Sequence, residues 1–148
     1  MANAVTSADL APSLVYVVGR VNQGVRRELR KALAPLGLSV PELTALSVLR
    51  TRPGLSNAQL ARRSLTTPQS MNEVVASLEA RGLVARTVDP SHGRILRTEL
   101  TPEGERLLEA VDPVVDSLQD EMLAAVPPEH REIVLGGLIA CMRSLRER

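Results

Sequence analysis

Residues 56–101 read SNAQLARRSLTTPQSMNEVVASLEARGLVARTVDPSHGRILRTELT, and the change of hydrophobic period inside this stretch decides the fold. Ser56 is followed three residues later by Gln59. In that arrangement a hydroxyl and an amide each satisfy a free backbone N–H at a helix start. A short helix from Asn57 to about Ser64 follows, with Leu60 and Ala61 facing inward and a turn at Leu65-Thr66. Thr67-Pro68 opens the next helix, with threonine as cap and proline at the first position, where no N–H is needed. Met71, Val74, Val75 and Leu78 recur at helical spacing and form its inward face. Gly82 stands where a helix end favours a left-handed residue. The period then drops to two. Leu83–Val88 and Arg94–Leu100 alternate around the turn cluster Asp89-Pro90-Ser91-His92-Gly93, which predicts a β-hairpin.

Working outward, both flanks read as helix. Leu10, Leu14, Val17, Val18, Val21, Val25, Leu29 and Leu33 form one apolar stripe, with Pro12 near its start and Pro35 and Gly37 at its end. Ser39, Pro41 and Glu42 start a second helix carrying Leu43, Leu46, Val48 and Leu49, and Pro53-Gly54 stops it. Thr101-Pro102 caps a long helix with Leu107, Leu108, Val111, Val115, Leu118 and Met122. Pro113 should kink or interrupt it, and Pro127-Pro128 end it. A last helix runs from Glu129 to near Arg146. The fold class expected is mostly α with a small β-hairpin. Residues 1–36 form an N-terminal helix, 37–101 the helix–turn–helix and hairpin, and 102–148 the C-terminal helices.

The 148 residues contain no Trp or Phe, and Tyr16 is the only aromatic, so the core must be aliphatic. Residues 50–97 carry eight arginines against three acidic groups, whereas residues 98–148 carry five basic and eleven acidic groups. The centre is the part an anionic polymer prefers. A single cysteine, Cys141, excludes an internal disulfide framework and reads as a buried small hydrophobe. Met1 to Leu10 lacks the pattern of a signal peptide, and no apolar run has the length of a membrane span. A cytoplasmic protein is expected. His92 and His130 make no metal motif, and no phosphate loop or nucleophile arrangement occurs, so neither metal, cofactor nor enzyme activity is expected.

A short helix, a turn, a second helix and a hairpin form a winged helix-turn-helix. The second helix has the diameter to enter a DNA major groove, and its exposed side carries Thr67, Gln69, Ser70 and Asn72. Arg94 at the hairpin tip suits the minor groove. Arg62, Arg63, Arg86 and Arg97 suit phosphates. Tyr16, Arg20 and Asn22 on the first helix are candidates for a small-molecule pocket. A winged module used for protein interaction, without operator binding, is the alternative.

Leu78-Glu79-Ala80-Arg81-Gly82-Leu83-Val84, the wing Asp89-Pro90-Ser91-His92-Gly93-Arg94 and Leu100-Thr101-Pro102-Glu103-Gly104 resemble the MarR family of bacterial regulators. The helix order extends that resemblance over nearly the whole chain. It implies a homodimer with interlaced N- and C-terminal helices, and a repressor that binds a pseudo-palindromic DNA operator. It also implies release by a small, often phenolic or aromatic, effector. Family members commonly carry Asp where this chain has His92, and a basic residue where it has Glu73. Both departures bear on operator sequence and affinity rather than on fold. A carboxylate at position 73 is repelled by phosphate but can accept a hydrogen bond from cytosine N4.

Overall fold

A computed structural model describes residues 13–146. Leu10 and Pro12, assigned above to the first helix, lie outside the described residues. The helices are α1 (Leu14–Leu33), α2 (Val40–Thr51), α3 (Asn57–Arg63), α4 (Pro68–Ala80), α5 (Pro102–Leu123) and α6 (Arg131–Arg146). The strands are β1 (Leu55–Ser56), β2 (Val84–Asp89) and β3 (His92–Leu100). Short 3-10 turns cover Ala34–Leu36 and Pro128–His130, so the last helix begins later than Glu129.

The helix starts are chemical. Ser39 and Ser56 each form a full capping box, with Glu42 and Gln59 answering, and the Thr67 hydroxyl accepts from Ser70 N–H. Three of the helix ends share one device. At Gly37, Leu65 and Gly82 the chain turns left-handed, and paired amide bonds reach back into the preceding turn. Two of these positions are glycine. Leu65 adopts φ 56° with a full side chain.

The expected hairpin is part of a three-stranded antiparallel sheet ordered β1-β3-β2. Leu55 pairs with Thr98 and Ser56 with Arg97. Two residues have no local alternation to betray them, and β1 exists only through this long-range pairing. Pro113 does not interrupt α5, which runs unbroken from Pro102 to Leu123. Proline removes a single amide donor, and the bonds on either side carry the helix.

The chain divides into two compact units, residues 1–112 and 113–148. The first has an aliphatic core in which Leu33, Leu46, Leu49, Leu60, Met71, Leu78 and Leu108 are fully buried. Each such side chain contributes about 1.5–3 kcal/mol. Arg50 binds α2 to α5 through a two-pronged pair with Asp112, at 2.9 and 2.8 Å. Thr101 locks the start of α5: its N–H donates to the Leu83 carbonyl, and its hydroxyl donates to the Gly82 carbonyl. Gly104 is packed so closely there that an added Cβ would overlap the Leu83 carbonyl oxygen.

Within the first unit, the apolar N-terminal half of α1 is uncovered, with Leu14, Val15, Tyr16, Val18 and Val21 all exposed. Within the second, α6 buries no residue and exposes Ile133, Leu135, Leu138, Met142 and Leu145. Cys141, expected to be buried, is exposed on this same helix. No single helix among the described residues is long and apolar enough to cross a membrane.

Candidate nucleic-acid interface

Met71, Val75 and Leu78 bury one side of α4 against the core. At 3.6 residues per turn, Gln69 and Glu73 project directly away from that side, with Ser70 and Asn72 flanking them. Thr67, Gln69, Ser70, Asn72 and Glu73 are all exposed. They are not equally available. The Thr67 hydroxyl accepts from Ser70 N–H at 3.1 Å and donates to the Ser70 hydroxyl at 3.0 Å. Gln69 and Asn72 have no hydrogen-bond partner among the described residues, so their amides are open in both donor and acceptor senses.

Asn57, which the sequence did not mark, fixes this helix to its neighbour. Its amide N–H donates to the Pro68 carbonyl at 2.9 Å, while its carbonyl oxygen is buried and unpartnered. An asparagine at a helix start carries no local signal of such a bond, because its acceptor lies eleven residues on.

The arginines separate into two sets. Arg86 grips Glu79 with both prongs, at 2.8 and 3.1 Å, joining β2 to α4. This bond holds the Glu79 carboxyl below its usual range. Arg97 donates to Asp89 at 2.8 Å and to the Gly54 carbonyl at 3.0 Å, tying the hairpin to the segment before β1. Arg62, Arg63 and Arg94 are exposed and have no ion-pair partner among the described residues. Arg62 and Arg63 lie in the last turn of α3, where a helix favours cations.

Asp89 is buried although it stands at the wing turn. The Ser91 N–H, donating to it at 2.8 Å, and the Arg97 guanidinium hold its carboxyl below the ordinary range against the opposing effect of burial. Asp89 therefore orients Arg97 and leaves Arg94 free. An open groove of about 440 Å³ runs between α4 and the hairpin. Asn57, Asn72, Val75, Arg86, Arg94 and Leu96 are among its lining residues, so Asn72 and Arg94 share one space.

The ligand candidates are not brought together in the same way. Tyr16, Arg20 and Asn22 are all exposed on α1. Tyr16 and Arg20, four apart, share a face, whereas Asn22 is turned well over 90° from both. A pocket formed from one face of α1 excludes Asn22.

Residues 36–95 match the MarR family. The chain is 44% identical over 126 residues to the HTH-type transcriptional repressor Rv2887 of Mycobacterium tuberculosis, covering 84% of this chain and 90% of that repressor. The crystal structure of Rv2887 in complex with DNA aligns with TM-score 0.75 at 34% identity, covering 88% of this chain and 98% of that one. Its complex with salicylic acid aligns with TM-score 0.74 at 37% identity, covering 88% and 97%. Similarity at this level spans both the helix-turn-helix with its wing and the flanking helices, and the chain belongs to the MarR family of transcriptional regulators.

Proposed function

We propose that this protein is a cytoplasmic, homodimeric repressor that binds a pseudo-palindromic DNA operator and is released by a small aromatic carboxylate. One observation carries the reading. The outer side of α4 presents two open amides, Gln69 and Asn72, beside the free guanidinium of Arg94. Gln and Asn pair bidentately with adenine in the major groove, and an arginine on the wing enters the minor groove or reaches its phosphates. Thr67 and Ser70, whose hydroxyls are bonded to each other, contribute as short groups that let the helix approach. Arg62 and Arg63 neutralise phosphates. Arg86 and Arg97 reach phosphate only with the part of the guanidinium that their internal bonds leave over.

Dimerisation accounts for the uncovered apolar sides of α1 and α6. Solvated aliphatic stripes of this extent mark an interface. A second copy covering both makes residues 1–36 and 102–148 the dimerising arms around the DNA-reading segment 37–101. The effector reading rests on the salicylic acid bound by the Mycobacterium tuberculosis relative. Tyr16 and Arg20 are the residues of this chain suited to it, a phenol and a guanidinium on one helix side.

Fluorescence anisotropy of the full chain against DNA upstream of its own gene, repeated at several salt concentrations, tests the proposal. Saturable, salt-steep binding that salicylate reverses is the expected result. Binding no tighter than to random duplex overturns it and leaves a winged module for protein contact.

A further inference from the structure

Glu73 lies in the middle of the outer side of α4, the side proposed above to read DNA. Several carboxylates of the first unit are engaged, Glu28 with Arg27 and Lys31, Glu79 with Arg86, Asp89 with Arg97 and Asp112 with Arg50; Glu73, like Glu99 and Glu109, is left open to solvent. Glu73 is exposed and has no hydrogen-bond or ion-pair partner among the described residues. The helix itself offers it no cation, because positions three and four away are Gln69, Ser70, Ala76 and Ser77. Ala76, one turn further along the same side, is small enough for the helix to lie close to base edges.

We infer that Glu73 is a specificity-determining residue, selecting a cytosine in each half-site by accepting a hydrogen bond from its N4 amino group. The inference rests on the operator-binding reading above. An ionised carboxylate only accepts. Guanine and thymine present only acceptors in the major groove, and pressing Glu73 against them leaves a desolvated charge unsatisfied. Adenine offers its N6 amino group beside the N7 acceptor, which opposes a carboxylate, whereas the cytosine amino group has no such neighbour on its own base. Gln69 sits one turn away, about 6 Å along the axis, so it meets a pair one or two steps from the one Glu73 reads. The same carboxylate repels phosphate, and so weakens binding wherever the cytosine is missing.

Selection from a random-sequence duplex library by the full chain, sequenced for the native protein, Glu73→Ala and Glu73→Gln, tests this. The native protein should enrich a C·G pair at symmetry-related positions of the two half-sites. Glu73→Ala should reduce that preference about fivefold or more while other positions hold. Glu73→Gln should shift the same pair toward adenine. A motif unchanged in Glu73→Ala overturns the inference alone, as does a uniform tightening on all sequences, which identifies plain charge repulsion. Enrichment of no motif by the native protein overturns operator binding itself, and this inference with it. Glu73 is exposed, so circular dichroism should report an unchanged fold in both variants.

Discussion

The guanidinium of Arg97 is closed onto the carboxylate of Asp89, with its Nε 2.8 Å and one Nη 2.7 Å from the same oxygen. Asp89 is only 4% exposed, and it also accepts the Ser91 N–H at the turn. One carboxylate therefore shapes the wing turn and, through Arg97 and the Gly54 carbonyl, fastens the wing to the body. Asp89→Asn should loosen the hairpin and lower operator affinity by about tenfold, since the ion pair is replaced by a weaker bond from the guanidinium to an uncharged amide oxygen. Limited proteolysis should show new cleavage between residues 86 and 97 while helix content holds. The depressed Asp89 carboxyl sets the pH dependence. Its contribution is fully present above the ordinary aspartate value of about 4 and is lost as pH falls through the lower folded value. Protection of the wing should therefore be flat from about pH 5 to 8 and fall only in strong acid. A midpoint near neutrality would contradict the assignment.

Arg94 and Arg97 should part company when each is replaced by alanine. Arg94 is held by nothing among the described residues, so Arg94→Ala should leave thermal stability unchanged. It should also reduce the slope of log affinity against log salt by about one unit per protomer. Arg97→Ala should lower the melting temperature and expose the wing to protease. Equal effects on stability would show that the two arginines were wrongly separated.

That separation marks the limit of what the sequence disclosed. Ser39, Ser56 and Thr67 announce helix starts through chemistry contained within four residues, and the structure bears each of them out. The winged helix-turn-helix was legible for the same reason. What escaped depends on partners distant in the chain. β1 is two residues long and is defined by Arg97 and Thr98. Asn57 finds its acceptor at Pro68, and Arg86 and Arg97 find carboxylates seven and eight residues away. Composition says that these arginines are basic, but only the fold says which are already engaged. The apolar excess of the flanking helices was legible as an excess, since no local core needs it, but not as a particular contact.

Leu65 carries strain that a smaller residue relieves. It sits left-handed at the turn between α3 and α4, in the position that glycine fills at the other two helix ends of this type. Its side chain is 90% exposed, so little packing is lost on removal. Leu65→Asn should stabilise the protein by about 1 kcal/mol, because asparagine tolerates this conformation at lower cost. That corresponds to a rise of roughly 2–4 °C in melting temperature. A fall would mean that Leu65 is covered in the native assembly.

Leu138 tests the assembly. It is a large aliphatic residue exposed on α6, a helix that buries nothing within its own unit. Leu138→Glu should convert a dimer to a monomer at micromolar concentration in sedimentation, because an unpaired carboxylate cannot be buried cheaply in an apolar contact. Operator affinity should fall steeply with it, since one protomer reads only one half-site. An unchanged dimer would remove α6 from the interface.

Gly104 is expected to be the least replaceable glycine of the fold. It lies in the first turn of α5, buried, where that helix meets the start of β2, and its N–H donates to the Thr101 hydroxyl at 3.1 Å. An added methyl group would overlap the carbonyl oxygen of Leu83 and press on the Leu100 side chain. The obstacle is backbone, and that carbonyl already accepts the Thr101 N–H at 3.1 Å, so it cannot swing away. Gly104→Ala must therefore shift α5 against the sheet, at a cost of roughly 2–3 kcal/mol. Chemical denaturation should show the midpoint falling with an unchanged slope. Gly93→Ala is the matched control. It lies exposed in the hairpin, where an added Cβ meets nothing within 4 Å, and it should change stability by less than about 0.5 kcal/mol. Because β2 and β3 carry the wing, Gly104→Ala should also weaken operator binding without touching any residue of the reading surface. Wild-type stability in Gly104→Ala would show that α5 does not seat on Leu83 as described.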